Sequence, residues 1–288
     1  MVLLAQALVS GVVAGGMYAL VAVGLNLIFG VMEVVNFAHG AFMMAAMYAA
    51  FWAFTLGGLD PYLALLVILP VFFLIGAGLQ RAVLNRLLEG PPVSHLLLTL
   101  SVMTFLEAFV ELTHLPDPRS LKVSYASATL SVGPAIVSVA ELVALGGALT
   151  LTAALYLFLR HTPWGKRMRA AASHKLGARA CGIDVEGTYT LAFGLATALV
   201  AAAGVLVAPI LYITPRVGHV YLLTAFVVVV VGGLGSFRGA LLGGLALGVA
   251  ESLAAAYWRP SMKVLVSFGI MLAVLMWRPE GLFAGRRA

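Results

Sequence analysis

The sequence contains few charged residues: Asp, Glu, Lys and Arg make up 10% of its 288 residues. A soluble domain carries about 25%, so this composition excludes an ordinary soluble enzyme, a disordered chain and a coiled coil. A single cysteine, Cys181, excludes an internal disulfide. Apolar residues make up 62% of the chain, which is enough for about nine membrane helices of about 20 residues each. The apolar runs are continuous, which favours helices over the alternating strands of a membrane β-barrel.

The sequence also lacks the common motifs of catalysis. A phosphate-binding P-loop needs GxxxxGK[ST], and the one Gly-Lys pair, Gly165-Lys166, is followed by Arg167. HExxH, GxSxG and paired cysteines are absent, and the six histidines are scattered along the chain. We therefore expect a protein that is not an enzyme, does not hydrolyse ATP by itself, and holds no metal or resident cofactor.

The apolar runs predict an all-α, polytopic transmembrane bundle of about eight or nine spans. The first run is long and the seventh is short, so we expect broken, tilted or re-entrant Gly-rich segments. The predicted spans are Val2–Phe29, Ala38–Leu56, Pro61–Gln80, Ser94–Leu115, Ala135–Leu159, Thr188–Ile213, Tyr221–Gly233, Ala240–Trp258 and Met262–Trp277.

The distribution of positive charge predicts the orientation. Of the 17 Lys and Arg residues, twelve fall in one set of alternate gaps and the tail, and five fall in the other set. Cytoplasmic loops carry the excess of Lys and Arg. This places the segment 160–187 and the C-terminus, with Arg286 and Arg287, in the cytoplasm.

Polar residues interrupt the apolar pattern first at 30–40, where Glu33, Asn36 and His39 lie between two glycines. Ionisable groups at membrane depth are costly and usually face a polar cavity, so we predict that these three residues line a translocation pathway. A short cytoplasmic turn with solvated side chains is the alternative.

The second interruption is glycine-rich and covers residues 232–239. Short, Gly-interrupted segments form substrate sites in many transporters, which predicts a pathway role for Gly232, Gly233, Gly235 and Ser236; a tight turn between helices is the alternative. Glycines four residues apart also allow close helix packing. We expect packing at Gly235, Gly239, Gly243, Gly244 and Gly248.

Two further features leave alternatives open. Residues 163–176 predict a short basic helix, which suits either a lipid surface or a docking surface for a cytoplasmic partner. Glu107 and Glu111 are one helical turn apart in the fourth predicted span. They fit a polar or proton pathway, although we favour the outer end of a tilted helix.

Four blocks in collinear order resemble the branched-chain amino acid ABC transporter permeases of the LivH type. The first is Gly24-Leu25-Asn26-Leu27-Ile28-Phe29-Gly30-Val31-Met32 with Val35-Asn36-Phe37-Ala38-His39-Gly40. The others are the loop from Thr162 to Asp184, the glycine block at 225–244, and the ending Arg278-Pro279-Glu280-Gly281-Leu282-Phe283.

The resemblance implies one importer transmembrane domain over residues 1–288, in the cytoplasmic membrane of a bacterium or archaeon. Its partners would be a second homologous permease, two ATPase subunits that use the ATP, and an extracytoplasmic binding protein, with no nucleic acid. The loop 160–187 would couple to the ATPases through Gly165, Lys166, Arg167, Arg169, Ala170, Gly182 and Ile183.

The substrate stays open, because relatives carry branched-chain or other amino acids, urea, amides or small aromatic acids. A secondary transporter that uses Glu33, Glu107 or Glu111 as an ion site is the alternative from another class.

Overall fold

The computed structural model describes residues 1–87, 90–114 and 117–283. The predicted end of the fourth span at Leu115 and the tail residues Arg286 and Arg287 lie outside these ranges. The helices are α1 (Val2–Met32), α2 (His39–Gly57), α3 (Pro61–Ala82), a 3-10 turn (Leu84–Leu87), α4 (Pro92–His114), α5 (Ser124–Ser127), α6 (Val139–His161), α7 (Pro163–Ser173), α8 (Lys175–Ala180), α9 (Val185–Val207), α10 (Val217–Gly232), α11 (Phe237–Tyr257) and α12 (Met262–Trp277). Strands β1 (Thr129–Val132) and β2 (Ala135–Ser138) form an antiparallel hairpin.

In the described part of the chain, seven helices are long and apolar enough to cross a membrane: α1, α2, α3, α4, α6, α9 and α11. Two more apolar helices, α10 and α12, contain 16 residues each. The predicted polytopic helical bundle is therefore confirmed, whereas the number of spans stays a prediction.

The fifth predicted span begins too early. Ala135 to Ser138 form strand β2, and the helix starts at Val139. The Ser138 side chain accepts a hydrogen bond from the Glu141 N–H at 3.1 Å, and the Glu141 carboxylate accepts one from the Ser138 N–H at 2.9 Å. This capping box fixes the helix start, and its Ser-x-x-Glu pattern is the signal that the apolar run concealed.

The sixth predicted span extends too far. Helix α9 ends at Val207, and a proline follows at position 209. Ile213 instead pairs with Arg119 in an isolated antiparallel bridge, with N–O distances of 2.8 and 2.9 Å. Residues 208–213 are therefore apolar because they pack in the connection between α9 and α10, and they do not extend the helix.

The bundle is built around α1 and α9, which are mostly buried, while α3, α4 and α6 are mostly exposed. Helix α1 is apolar on all sides and runs unbroken for 31 residues. Glycines let it approach α11 closely: a Cβ at Gly248 would lie 2.4 Å from the Gly15 Cα, and one at Gly15 would lie 2.8 Å from the Leu245 Cα. Glycine has no Cβ and therefore avoids these clashes, and such small residues are typical of packed membrane helices.

One end of the bundle carries most of the positive charge, and we call it the basic end. Helices α1, α3, α6, α10 and α12 finish there, and α9 and α11 begin there; its short connections include α7, α8 and the α10–α11 turn. The described cations at this end are Arg81, Arg86, Arg160, Lys166, Arg167, Arg169, Lys175, Arg179, Arg238 and Arg278. The hairpin and the α9–α10 connection lie at the opposite end.

Candidate functional site

The chain leaves the helical conformation immediately after α1. Glu33 caps the helix with a φ of 57°, a left-handed conformation that a residue with a side chain rarely adopts. Residues 33–38 are then non-helical, and their exposure alternates. Glu33 is exposed and Val35 and Phe37 are half-buried, whereas the even-numbered residues 34, 36 and 38 are buried. The odd-numbered residues of this non-helical segment are thus more exposed than the even-numbered ones.

This segment returns into the bundle before α2 begins. The His39 Nε2 lies 3.0 Å from the Val21 carbonyl oxygen, and Val21 precedes the end of α1 by about 16 Å at a rise of about 1.5 Å per residue. A Cβ at Gly24 would lie 3.1 Å from the His39 Cε1. The first residues of α2 also touch α10, because a Cβ at Gly40 would lie 2.1 Å from the Gly218 carbonyl oxygen.

Asn36 and His39 are fully buried within the chain. The Asn36 Oδ1 accepts a hydrogen bond from the Ala38 N–H at 3.0 Å. The Asn36 Nδ2 and the His39 Nδ1 have no hydrogen-bond partner among the described residues. The alternative of a turn with solvated side chains does not fit Asn36 and His39, because both are buried, although it fits the exposed Glu33. The predicted pathway role remains a prediction for all three residues.

The second predicted pathway segment forms the turn between α10 and α11. Gly233 and Gly235 have φ values of 100° and 81°, which favour glycine. The Asn26 side chain holds this turn from α1: its Oδ1 accepts from the Gly235 N–H at 2.6 Å, and its Nδ2 donates to the Ser236 carbonyl at 2.7 Å. Asn26 is thus a contact residue that the sequence analysis quoted in the motif but did not assign to the site.

The end of the described chain covers the same turn. The backbone N–H groups of Leu282 and Phe283 donate to the carbonyls of Val231 and Gly232, at 2.9 and 3.2 Å. The Ser236 hydroxyl donates to the Phe283 carbonyl at 2.9 Å. Gly232, Gly233, Gly235 and Ser236 therefore lie in a hydrogen-bonded joint at the basic end of the bundle. Their predicted role in the pathway remains a prediction.

The glycines of α11 contact two different helices. A Cβ at Gly239 would lie 2.0 Å from the Gly232 carbonyl oxygen, and Gly243 faces α10 as well. Gly244 and Gly248 face α1 instead, next to Ala19 and Gly15. Gly235 precedes the first helical residue, Phe237, so it does not share a helix face with Gly239 as the spacing had suggested.

The predicted coupling loop divides into residues that face inward and residues that face outward. The Thr162 hydroxyl caps α7 by accepting from the Gly165 N–H at 3.1 Å. A Cβ at Gly165 would lie 2.1 Å from the Leu159 carbonyl oxygen, and Arg169 donates to that same carbonyl. These contacts seat α7 against the end of α6.

The remaining coupling residues follow the same division. Ala170 and Ile183 are half-buried and pack against the core. Lys166 and Arg167 are exposed, and the Arg167 guanidinium lies 4.5 Å from the centre of the Trp164 ring. Gly182 is exposed and has a φ of 77°. Lys166 and Arg167 thus form the outward surface of α7, while the predicted coupling role of the set is untested by the geometry.

Two acidic residues of α4 lie in different surroundings. The Glu107 carboxylate is 2.8 Å from the His219 Nε2 on α10, close to the Gly40–Gly218 contact. Glu111 is exposed. The sequence had grouped these two acids, and the structure assigns a partner on another helix to Glu107.

Glu251 is a buried acid that the sequence analysis did not single out. It lies on α11 and is 6% exposed. The Tyr18 hydroxyl of α1 donates to its Oε2 at 2.9 Å, and the Ser267 hydroxyl of α12 donates to its Oε1. A lone acid within the apolar run 240–258 was the available signal, because such residues are rare inside membrane helices and are almost always paired.

Comparison with known proteins assigns the chain to a family. Residues 7–275 match the family model described as branched-chain amino acid transport system / permease component. The high-affinity branched-chain amino acid transport system permease protein BraD of Pseudomonas aeruginosa is 31% identical, over 96% of this chain and 94% of its own length. LivH of Escherichia coli K12, with the same description, is 28% identical over 96% of this chain and 94% of its own length.

An archaeal relative extends the comparison. The probable branched-chain amino acid transport permease protein LivH of Methanocaldococcus jannaschii is 29% identical over 94% of this chain and 90% of its own length. No solved structure matches the chain. The family match spans every apolar helix from α1 to α12 and includes both the α1–α2 break and α7. The chain is therefore a multi-pass membrane protein that belongs to the branched-chain amino acid transport system permease component family.

Proposed function

We propose that this chain is the permease subunit of an ATP-binding-cassette importer for branched-chain or closely related amino acids. The observation that carries the proposal is the family match over residues 7–275, together with relatives that align over nearly their whole length. The chain supplies the membrane passage and no ATPase site of its own. ATP is used by separate subunits.

The distribution of charge supports an assembly with cytoplasmic ATPases. Lys and Arg mark the cytoplasmic side of membrane proteins, so the basic end, with α7 and the C-terminus, faces the cytoplasm of a bacterial or archaeal cell. Helix α7 is seated on α6 through Gly165 and Arg169 and presents Lys166 and Arg167 outward. A helix that is fixed on one side and charged on the other suits the transmission of motion from two ATPases.

The proposed route follows the outer face of residues 33–38. A second homologous permease subunit would close the route against this face, because Glu33 is exposed and Val35 and Phe37 are half-buried, whereas residues 34, 36 and 38 are buried. The face is mostly apolar and offers one carboxylate, which suits a substrate with an apolar side chain and an ammonium group. An extracytoplasmic binding protein would supply the affinity for substrate at the opposite end.

The test is uptake by proteoliposomes that contain the purified complex with its ATPases, second permease and binding protein. We expect uptake of radiolabelled leucine, isoleucine or valine that requires ATP inside the vesicle. Uptake of urea, a small amide or an aromatic acid without any branched-chain amino acid would overturn the substrate. Uptake by this chain alone, driven by a proton or sodium gradient without ATP, would overturn the importer class in favour of a secondary transporter.

A further inference from the structure

A cavity of about 430 Å³ lies at the basic end, between α1, α6, α7 and the start of α11. Its floor is apolar and is formed by Val23, Leu27, Val31, Leu159, Met168 and Phe237. The volume falls in the range of ligand-binding pockets, about 300–1,000 Å³. The proposed route along residues 33–38 does not use this cavity, although Arg169 and Gly235 of the predicted sites are among its lining residues.

Three arginines from three different elements converge at the mouth of the cavity: Arg160 lies in the last turn of α6, Arg169 lies on α7, and Arg238 lies in the first turn of α11. All three are exposed. The Arg160 Nη1 donates to the Tyr156 hydroxyl at 3.0 Å, and Arg238 is within hydrogen-bonding reach of the same hydroxyl. The centres of the Tyr156 and Phe237 rings are 5.4 Å apart, so the aromatic pair joins the charged mouth to the apolar floor.

Among the described residues that line the cavity, three are arginines and none is acidic. The ion pair at this end, between Arg179 and Glu186, lies outside the lining. Like charges held close together repel each other, so an anion at the mouth would stabilise the arrangement. A guanidinium binds phosphate well, because its planar donors match the oxygens.

We propose that this cavity binds an anionic phospholipid, with its phosphate on Arg160 and Arg238 and the adjoining part of an acyl chain on the apolar floor. The position favours a lipid over a soluble anion. Arg160 and Arg238 lie at the ends of apolar helices, where a membrane meets water, and basic pockets between membrane helices at this level bind acidic head groups. The apolar floor gives an acyl chain a surface that inorganic phosphate cannot use.

A bound lipid would touch both α7 of the proposed coupling loop and the joint between α1 and the α10–α11 turn. The cavity is also lined by Asn26 and Gly235, which join α1 to the α10–α11 turn, and by Met168 of α7. Lipid binding depends on the arginines and the apolar residues of the cavity, and it does not depend on which substrate the transporter carries. A failure of the lipid proposal would leave the uptake test of the preceding section unchanged.

The experiment measures lipid retained by the purified complex. The complex is extracted in detergent and incubated with mixed micelles of phosphatidylglycerol and phosphatidylcholine, and the lipid bound per complex is counted by native mass spectrometry. Arg160→Gln with Arg238→Gln removes the charge at the mouth, and Arg259→Gln at the opposite end is the matched control. Ala172→Trp fills the cavity without a change of charge, since Ala172 is exposed and lines it.

We expect the wild type and Arg259→Gln to retain phosphatidylglycerol in preference to phosphatidylcholine. The double variant should bind it about 30-fold more weakly, given the usual contribution of each basic residue near an anionic membrane. Lysine at both positions should restore most of the binding, which separates charge from folding. Ala172→Trp should lose the lipid while the complex stays assembled.

Three results would overturn the proposal. Equal retention of the two lipids, or equal loss of lipid from the double variant and the Arg259→Gln control, would show that the mouth does not select an anionic head group. Displacement of phosphatidylglycerol by millimolar inorganic phosphate would show a site for a free anion, because the apolar floor would then contribute nothing.

Discussion

The side chain of Asn26 binds the backbone of Gly235: its Oδ1 accepts from the Gly235 N–H at 2.6 Å, while its Nδ2 donates to the Ser236 carbonyl at 2.7 Å. The two residues are far apart in sequence, and the contact joins the first helix to the glycine turn near the end of the chain. A carboxamide suits this position because it carries both an acceptor and a donor. One side chain of α1 therefore holds the second interruption of the apolar pattern, the turn between α10 and α11.

We predict that Asn26→Ala destabilises the transporter and slows transport. The substitution leaves the Gly235 N–H without its partner and removes one of the two hydrogen bonds to the Ser236 carbonyl, which keeps the Ala240 N–H, at a cost of about 1–3 kcal/mol. Thermal unfolding of the purified complex and leucine uptake measure the two effects. Ser101→Ala removes an exposed hydroxyl that bonds only within its own helix and serves as the control. Equal stability of both variants would show that the joint is not needed.

A second prediction concerns Gly239, which packs closely against Gly232 of α10. Gly239→Leu places a side chain against the Gly232 carbonyl, where a Cβ would lie at 2.0 Å. Helices α10 and α11 must then separate, which costs about 1–3 kcal/mol or more, so we expect loss of the assembled complex on size-exclusion chromatography. Gly269→Leu, on α12 with no atom within 4 Å of its Cβ, is the matched control. Normal assembly of Gly239→Leu would contradict the packing.

A third prediction separates the two faces of α7. Lys166→Glu with Arg167→Glu reverses exposed charges, so we expect loss of co-purifying ATPase from a permease that keeps its thermal stability. Gly165→Leu obstructs the contact with the Leu159 carbonyl, so it should lower the stability itself. Arg259→Glu is the charge control at the other end. If the double reversal assembles and hydrolyses ATP as the wild type does, α7 is not the docking surface.

A fourth prediction concerns Glu251. Its replacement by alanine leaves the Tyr18 hydroxyl without its acceptor and the Ser267 hydroxyl with the Lys263 carbonyl alone, and should lower the free energy of unfolding by about 1–3 kcal/mol. Tyr18→Phe and Glu251→Ala, singly and together, form a double-mutant cycle. Because the groups are in contact, we expect a coupling energy of about 0.5–3 kcal/mol. Additive effects of the two substitutions would show that the hydrogen bond contributes nothing.

The class of fold followed from composition, but several boundaries did not. Apolar runs locate membrane helices because every backbone group must be satisfied in lipid. The same runs cannot show where a helix ends when its neighbouring connection is also apolar, as at 208–213. A strand such as Ala135–Ser138 is similarly hidden when it continues into an apolar helix. Only the Ser138–Glu141 capping pattern distinguishes the two, and it is a local signal.

The sequence indicated the two segments of the candidate site, but it did not indicate the contacts that their residues make. The polar residues of 30–40 and the glycines of 232–239 stand out in the sequence. The contact of Asn26 with the glycine turn does not stand out, because one amide in an apolar helix has no local partner in sequence. The burial of Asn36 beside the exposed Glu33 could not be predicted either, since it depends on the non-helical path that the chain takes after α1.

The most direct test of the proposed route is the labelling rate of single cysteines along residues 33–37. The background variant Cys181→Ser removes the native thiol, which is exposed. Cysteine replaces Glu33, Val34, Val35, Asn36 and Phe37 one at a time, and the assembled transporter reacts with a small charged thiol reagent with and without ATP. We predict fast labelling at positions 33, 35 and 37 that changes with the ATP state, and slow labelling at 34 and 36. Equal labelling at all five positions, or rates that ATP does not change, would contradict the route.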